Sequence, residues 1–463
     1  MYKKFVVILF LFLIRLNCVG QGITFQRTYD TLGCYYANDI VQFLDNSYFL
    51  CGGSYTANIN DGNVIRLDSL GNIVWVNTYS SPGVDGVTQI LISPDSNLIV
   101  AAIFQQYSVD NGKLLISKIS PVGVIVWTNT YQISGGCYPR DLINTRDGGF
   151  LITGYSFVPS NNLSDVFLSK FNTQGILLWT KIYNFSPGEG ANSVAELSNG
   201  DLILAGSTGI AGTPDAYIIK TDSVGDMLWT KVLGYTNVDE FTSVKVTPDS
   251  FLVFAGYSYD TVNNNYNCYL VKSDLDGTII FEKFIGNQYE NVSADLLIRG
   301  NNYYIAGTTN SPQNYNFELT QTDTSGDTLS VNNYGGNGSQ ILTAFFSTND
   351  GGFVMVGYDF ITDDKMLVIK VDNQNNLLPT LISKFDKLLF EAYPNPCSST
   401  LRITGLENVQ KIEMVDLLGN LIITINPSTN SITADVSNIP AGIYFLRLVK
   451  DKNIYFKKIL ITH

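Results

Sequence analysis

Residues 73–79 read Ile-Val-Trp-Val-Asn-Thr-Tyr, and residues 23–29, near the start of the chain, read Ile-Thr-Phe-Gln-Arg-Thr-Tyr. The first stretch recurs along the chain. Its tryptophan is one of only four in 463 residues, at Trp75, Trp127, Trp179 and Trp229, at intervals of 52, 52 and 50 positions. Each lies four residues after a glycine (Gly71, Gly123, Gly175, Gly225), and the same phase continues as Gly277, followed by Phe281, and as Gly326. A fixed period near 50 marks a supersecondary unit that buries its apolar face only by stacking on its neighbours.

Four alternating segments recur within each period. The first is short and runs into a turn, as Ser193 to Leu197 does before Asn199-Gly200. The second ends at a small residue (Gly154, Gly206, Gly256, Gly307 and Gly357, with Ala102 in the second copy), which marks backbone that must bend or approach something closely. The third reads like Val166 to Lys170 or Leu367 to Lys370, and an Asp-x-x-Gly turn such as Asp222 to Gly225 reverses it into the fourth, tryptophan-bearing segment. The second and third segments occur seven times, but only six copies of the fourth follow them. Residues 23–29 supply the seventh. The spacing therefore predicts an all-β chain, a seven-bladed β-propeller over residues 21–372 whose last blade is completed by the N-terminal strand. The tryptophan reads most simply as a wedge between blades.

Charged residues make up 15% of the chain and the net charge is −13, a balance that opposes nucleic acid and anionic lipid, which need clustered Lys and Arg. Residues 1–20 read as a secretory signal peptide: Lys3 and Lys4, the apolar run Phe5 to Ile14, then Cys18 and Gly20 before a cut at Gln21. Lipoprotein processing at Cys18 is the competing reading, and Arg15-Leu16-Asn17 makes a poor lipobox for it. The apolar run is too short to span a bilayer, and no membrane-spanning segment is expected in the mature chain. Beyond the leader, Cys34, Cys51, Cys137, Cys268 and Cys397 are odd in number and show no metal-like spacing, so neither a disulfide framework nor a resident metal is expected. A bridge between Cys34 and Cys137, two blades apart, would require both to lie almost on the axis.

Candidate binding residues fall on one face. If the first strand of each blade runs downward, the second-to-third loops and the blade-to-blade connections lie above, where the sequence varies, and binding is expected there. These loops carry Tyr107, Asn265, Tyr266 and Tyr315, aromatic faces beside amides that suit a glycan or a protein surface. One column of the blade-to-blade connection holds Asp85, Glu189, Asp239 and Glu290 in register with Cys34, Cys137 and Gln340. Its carboxylates either accept backbone N–H groups and pin their loops or ring the channel mouth as an axial cation site. The only histidine is His463, which removes a Ser-His-Asp triad and histidine-ligated metal from the ring. Paired-carboxylate chemistry stays open. The Asp-x-x-Gly-x-x-x-Trp hairpin loosely resembles the sialidase Asp box and the repeat of quinone-dependent dehydrogenases, but its spacing departs from the former and the arginines share no repeat position.

Repetition stops near Asp372, and a linker over 373–389 precedes a segment, 390–463, with strands and turns of its own. Tyr393-Pro394-Asn395-Pro396, then Met414 to Gly419 around Asp416, then Asp435-Val436-Ser437, Pro440 to Tyr444 with Gly442, and finally Lys457-Lys458 follow in order. These motifs resemble the C-terminal sorting domain (type A) of the type IX secretion system of Bacteroidetes. The resemblance implies a small β-sandwich that engages the outer-membrane translocon and delivers the cargo, through the periplasm, to the cell surface or the medium. Val415 stands where family members usually carry an aromatic residue. The residues alone, without the resemblance, imply only a compact β domain.

The expected function is accordingly a non-enzymatic glycan- or protein-binding module with no cofactor. A glycan-active or quinone-dependent enzyme and a structural surface protein without ligand are the alternatives. Convergent acids of perturbed pKa in a deep axial pocket would favour the enzyme, and an aromatic patch would favour binding.

Overall fold

The computed structural model describes residues 23–462 apart from 30–33, 57–58, 80–85, 105–111, 158–162, 186–187, 210–213, 235–237, 287–288, 311–313, 337, 361–364, 378–389, 408, 417–420, 428 and 451–452. The signal-peptide segment, Asp85, Tyr107 and Gly419 lie outside the described residues. Every regular element among the described residues is a β-strand. The chain divides into two compact units, the first ending at Leu378 and the second beginning at Pro379.

Among the described residues, the first unit forms seven four-stranded antiparallel sheets. Numbered 1 to 7, they begin with the strands Cys34–Gln42, Gly86–Ile92, Cys137–Asn144, Gly190–Glu196, Asp239–Val246, Asn291–Arg299 and Gln340–Ser347. Sheets 1 to 6 pair four consecutive strands in order, whereas sheet 7 pairs three and takes Phe25–Tyr29 as its fourth. That strand lies antiparallel to Lys365–Val371, with Phe25 opposite Lys370 and Tyr29 opposite Met366. The seven first strands touch in cyclic order, the seventh meeting the first. Each pair of neighbouring sheets, including 7 with 1, encloses its own apolar core. Repeated four-stranded antiparallel sheets stacked in this way resemble a β-propeller.

Three local devices make each repeat fit the next. The Asp-x-x-Gly signature is a turn capped by its own side chain: Asp222 Oδ1 accepts the N–H groups of Val224 (3.0 Å) and Asp226 (2.8 Å), and Gly225 takes φ +81°, which costs a glycine nothing. The turn at Asp372–Asn376 repeats this geometry with Asn375 (φ 63°) in the glycine's place, and Leu377 still packs on the core between sheets 6 and 7.

The second device is the aromatic wedge. A Cβ placed on Gly175 would lie 2.3 Å from the Trp127 ring of the preceding sheet. Trp75, Trp179, Trp229 and Phe281 meet Gly123, Gly225, Gly277 and Gly326 in the same way, and at the seam Phe25 meets Gly71. The tyrosine closing the fourth segment adds a polar tie, as Tyr29, Tyr131 and Tyr183 donate to the carbonyls of Gly71, Gly175 and Gly225 at 2.6, 2.6 and 2.8 Å.

The third is a one-residue bulge at the same place in all seven first strands, at Asn38, Thr88, Arg140, Asn192, Thr242, Ala294 and Thr343. It brings a carbonyl of the first strand onto the second. A Cβ on Gly154, Gly206 or Gly256 would sit 2.0, 1.9 or 1.8 Å from the carbonyl oxygen of Tyr138, Gly190 or Glu240. This close approach is the physical reason for the small residue ending the second segment.

The second unit holds two sheets. One has three strands, Glu391–Tyr393, Thr400–Thr404 and Ser431–Asp435; the other orders Leu421–Ile425, Lys411–Val415, Gly442–Lys450 and Asn453–Ile461. They share one core around Phe390, Leu401, Ile403, Ile412, Met414 and Leu446.

Candidate functional site

The bulges place their own residues and the residues after them around a common axis. Side chains from all seven first strands line a cavity of about 140 Å³ there, among them Asp39, Gln89, Arg140, Asp141, Lys245 and Asp295. Asp39 Oδ1 accepts the N–H of Ile40 (2.8 Å) and its Oδ2 the N–H of Ile90 in sheet 2 (3.0 Å). Asp141 likewise accepts the N–H of Leu142 (2.8 Å) and, from sheet 4, the N–H of Val194 (2.8 Å) and the hydroxyl of Ser193 (3.0 Å). Bulge side chains strap neighbours together from the other side: Asn38, Asn192 and Thr343 donate to the carbonyls of Val87 (2.9 Å), Phe241 (2.9 Å) and Ala37 (2.7 Å), each the residue before the next bulge.

Burial shapes the charges on the axis. It pushes the Asp39 carboxyl up to about 7 against the pull of its two N–H bonds, and the like charges of Asp295 and Asp141 add to the rise. Burial also raises Asp141. For Lys245 burial opposes the charged form, but Asp295 and Asp141 outweigh it and the ammonium is held more firmly than usual. Its Nζ lies 3.5 Å from Asp295 Oδ1.

The acid column of the connections is not brought to this cavity. Glu189 is buried, and both its oxygens accept the Phe185 N–H, at 3.1 and 3.0 Å, while Thr208 donates to Oε1 at 3.3 Å. Asp239, also buried, lies against Gly234 and donates its N–H to the Pro214 carbonyl at 2.7 Å, and Glu290 Oε2 accepts the Tyr315 hydroxyl at 3.2 Å. Among the described residues no three acidic, histidine or cysteine side chains group so as to hold a metal ion. Cys51, Cys137, Cys268 and Cys397 are buried free thiols.

The predicted loop aromatics form part of a larger cluster. Tyr266 packs edge to face on Tyr257 (5.4 Å, 89°) and Tyr259 (5.0 Å, 68°), and Tyr257 donates to Glu240 at 2.7 Å. Tyr315 lies 6.3 Å from the exposed ring of Phe360, which Tyr358 also approaches. In sheet 3 Tyr138 and Tyr155 stack at 5.3 Å beneath the Arg140 guanidinium. Asn265 plays a different part. It is buried, and its amide donates to the Tyr289 carbonyl at 3.1 Å, which fixes the loop. Burial, then the nearby Glu290 carboxylate, raises the phenols of Tyr266 and Tyr315, so both stay neutral.

In the second unit the quoted motifs tie the first strand to the last. Asn395 Oδ1 accepts the Leu460 N–H at 2.8 Å, and Cys397 bridges to Ile461. The Tyr444 hydroxyl closes the Pro440 turn at 2.8 Å, Ser437 donates to Asp435, and the Lys457 ammonium stands 5.9 Å from the Phe390 ring. Tyr393 is exposed beside Pro394 and Pro396, Asp416 follows the strand Lys411–Val415, and Gly442 opens the strand Gly442–Lys450.

Residues 391–462 match the secretion system C-terminal sorting domain family. This sorting domain follows the propeller-like unit and marks the chain for export by the type IX secretion system to the cell surface or the extracellular space. Among the described residues no helix is long and apolar enough to cross a membrane. No curated protein matches the sequence. Similar solved structures include Sqt1 from Chaetomium thermophilum, with 12% identity, 76% of this chain and 98% of that one covered, and a TM-score of 0.47. The β-propeller domain of the Trilobed protease from Pyrococcus furiosus gives 11% identity, 77% and 99% coverage and a TM-score of 0.45. PorZ, a surface component of the type-IX secretion system of Porphyromonas gingivalis, gives 10% identity, 92% and 81% coverage and a TM-score of 0.24.

Proposed function

We propose that the chain is a secreted or cell-surface, non-enzymatic binding protein. Its residues 21–372 would be a seven-bladed β-propeller closed by the N-terminal strand, joined through 373–389 to a β-sandwich, 390–463, that engages the type IX translocon and is not itself part of the binding site. The ligand is a glycan, taken up by the loop face that carries Tyr257, Tyr259, Tyr266 and Tyr315.

The observation that carries this reading is the packing of Tyr266 between Tyr257 and Tyr259, with Glu240 and Glu290 bonded to neighbouring phenols. Rings locked by each other present apolar faces to sugar C–H groups, and the Glu290 carboxylate beside them accepts sugar hydroxyls, while Glu240 holds the Tyr257 phenol and Asn192 in place. The axial acids are raised by burial, the feature expected of an enzyme, but their hydrogen bonds support binding over hydrolysis. Asp39 and Asp141 each spend both oxygens on backbone N–H groups, so they do not supply the free acid and free base that glycoside hydrolysis needs.

A glycan array probed with residues 21–463 tests the reading. Selective binding that falls at least tenfold in Tyr266→Ala, with the melting temperature kept, is the expected result. Retention of cell-surface protein but of no glycan would replace the glycan by a protein partner, and binding indifferent to Tyr266 and Tyr315 would place the site elsewhere.

A further inference from the structure

One bulge position departs from the other six. Asn38, Asn192 and Thr343 donate to the next sheet, Thr88 and Thr242 donate within their own sheet to the carbonyls of Ala101 (3.3 Å) and Ala255 (3.1 Å), and Ala294 has no polar side chain. The seventh residue of the column is Arg140 in sheet 3, and it is exposed. Among the described residues its guanidinium reaches no carbonyl of the next sheet and pairs with no carboxylate; it lies instead over two tyrosines, centred 4.9 Å from the Tyr138 ring and 5.6 Å from the Tyr155 ring. Arg66, by contrast, pairs with Asp45 at 2.7 Å, and Arg299 donates to the Gly352 carbonyl at 2.8 Å. The fold gains neither a strap nor an ion pair from Arg140, so most of its N–H donors remain for a ligand.

Contacts join Arg140 to the glycan face. Tyr155 and Tyr257 hold the same place in sheets 3 and 5, each following the glycine that ends the second segment, Gly154 and Gly256. Sheet 4 between them supplies Asn192, which lines the axial cavity together with Arg140 and donates to Glu240 at 2.6 Å. Glu240 in turn accepts the Tyr257 hydroxyl, and Tyr257 packs on Tyr266. The electrostatics agree with this chain of contacts. Burial raises the Tyr155 phenol and the Arg140 charge draws it back, and at Tyr257 the same charge opposes burial and the Glu240 carboxylate. The field of Arg140 thus reaches across sheet 4 onto the rings of the binding face.

The chemistry of this rim selects among glycans. A neutral sugar asks for stacking faces and acceptors, which Tyr266, Tyr315 and Glu290 supply without an arginine. A guanidinium backed by two rings presents a planar fork that matches a carboxylate, and such charge-assisted pairs are roughly twice as strong as neutral hydrogen bonds. The nearest acids do not occupy that fork: Asp141 accepts the N–H groups of Leu142 and Val194, and Glu240 holds Tyr257 and Asn192. Resting on the glycan reading of the loop face, we infer that the ligand is an acidic glycan, one uronic acid residue of which sets its carboxylate on Arg140 while the sugars beside it lie against Tyr257 and Tyr266. A phosphate is a poorer match, because its second negative charge would be set beside Asp141 and Glu240.

Arrays of uronate-containing oligosaccharides, the same oligosaccharides with every carboxyl group reduced to the alcohol, and sulfated oligosaccharides, probed with residues 21–463, test the assignment. The uronate forms should be bound about tenfold more tightly than their reduced counterparts, a preference that falls as salt is raised. Arg140→Gln, at an unchanged melting temperature, should lose that preference and bind the two forms alike. Arg140→Lys, which restores the charge without the fork, should recover only part of it. Tyr266→Ala should weaken both forms together. Equal binding of acid and alcohol by the unaltered protein, or a preference that survives in Arg140→Gln, would overturn the acidic assignment, while binding that still depended on Tyr266 would keep the glycan reading. Tighter binding of the sulfated forms would overturn the carboxylate, and no glycan binding of any kind would remove both readings.

Discussion

Replacing Gly175 by alanine sets the wedge between sheets against the backbone beneath it, and the structure gives the size of each part. The new Cβ would stand 2.3, 2.5 and 2.8 Å from three atoms of the Trp127 ring, where carbon atoms settle at about 3.5–4.0 Å. The ring or the turn must therefore move by roughly 1 Å, and overpacking of this kind costs about 1–3 kcal/mol. Gly175 also holds φ +73°, a conformation that costs an L residue about 1–2 kcal/mol. Gly175→Ala should destabilise by about 3 kcal/mol in all. Trp127→Ala, which empties the half-buried wedge, should cost about 3 kcal/mol. In the double variant the clash is gone and only the backbone penalty remains, so the two changes should fall short of additivity by about 2 kcal/mol. Gly300→Ala is the control: φ is +57° and no atom lies within 4 Å of the new Cβ, so only the backbone penalty of about 1 kcal/mol is expected. Urea unfolding followed by far-UV circular dichroism, with midpoints and slopes compared, supplies the four corners of the cycle. Additivity within about 0.5 kcal/mol would refute the claim that Trp127 and Gly175 bear on each other.

Three further predictions follow from other parts of the molecule. Deleting residues 21–29 uncovers the edge of Lys365–Val371 and the buried Met366 and Val368, so the variant should aggregate or lose its single unfolding transition in calorimetry; an unchanged monomeric melt would count against closure by that strand. Asp39 and Asp141 are both raised above the unfolded carboxyl, so the folded state holds their protons more tightly; the Asp39 contribution is full below about pH 4 and lost as pH rises through about 7, so the melting temperature should fall over that window, with a shallower slope in Asp39→Asn. A chain ending at Leu389 should accumulate in the periplasm of the native host, whereas residues 390–463 fused behind a signal peptide and a reporter should carry that reporter outside; surface display of the truncated chain would show that export does not depend on the sorting domain.

What the sequence disclosed follows from how the repeat is used. The period, the turn Asp222 to Gly225, the wedge of Trp127 on Gly175 and the place of residues 23–29 were legible because each device needs one residue type at one offset in nearly every copy. The bulges were not. An extra residue present in all seven first strands changes no spacing between copies, so Asn38 and Thr343 look like ordinary strand positions. The axial acids were missed for the opposite reason. A search for a conserved acidic column finds Glu189, Asp239 and Glu290, which pin or adjoin loops, and passes over Asp39, Asp141 and Asp295, whose column elsewhere holds Gln89, Ser193, Ser243 and Ala344. The buried role of Asn265 was also beyond reach, since an asparagine in a polar loop carries no mark of the carbonyl it will meet.

That variable column has a physical cause. Positions between sheets meet only one neighbouring copy, so the same pair of residues solves every interface and the sequence repeats faithfully. Positions on the axis meet all the copies at once. Seven identical carboxylates around a cavity of about 140 Å³ could not all ionise, and seven large apolar side chains would not fit. Alternation along the column, Asp39, Gln89, Asp141, Ser193, Ser243, Asp295, Ala344, places carboxyls on three sheets, leaves uncharged residues between, and lets Lys245 enter from a different level. In a closed ring of repeats, then, a column that varies between columns that do not is itself the trace of the axis. On this reasoning, changing Ala344 to Asp should be worse tolerated than the same change at an exposed outer-strand position such as Val126, because the fourth carboxylate meets Asp39, Asp141 and Asp295 together whereas Val126 faces solvent. Equal melting temperatures for Ala344→Asp and Val126→Asp at pH 7.5 would show that the axis is wetter and less crowded with charge than its geometry implies.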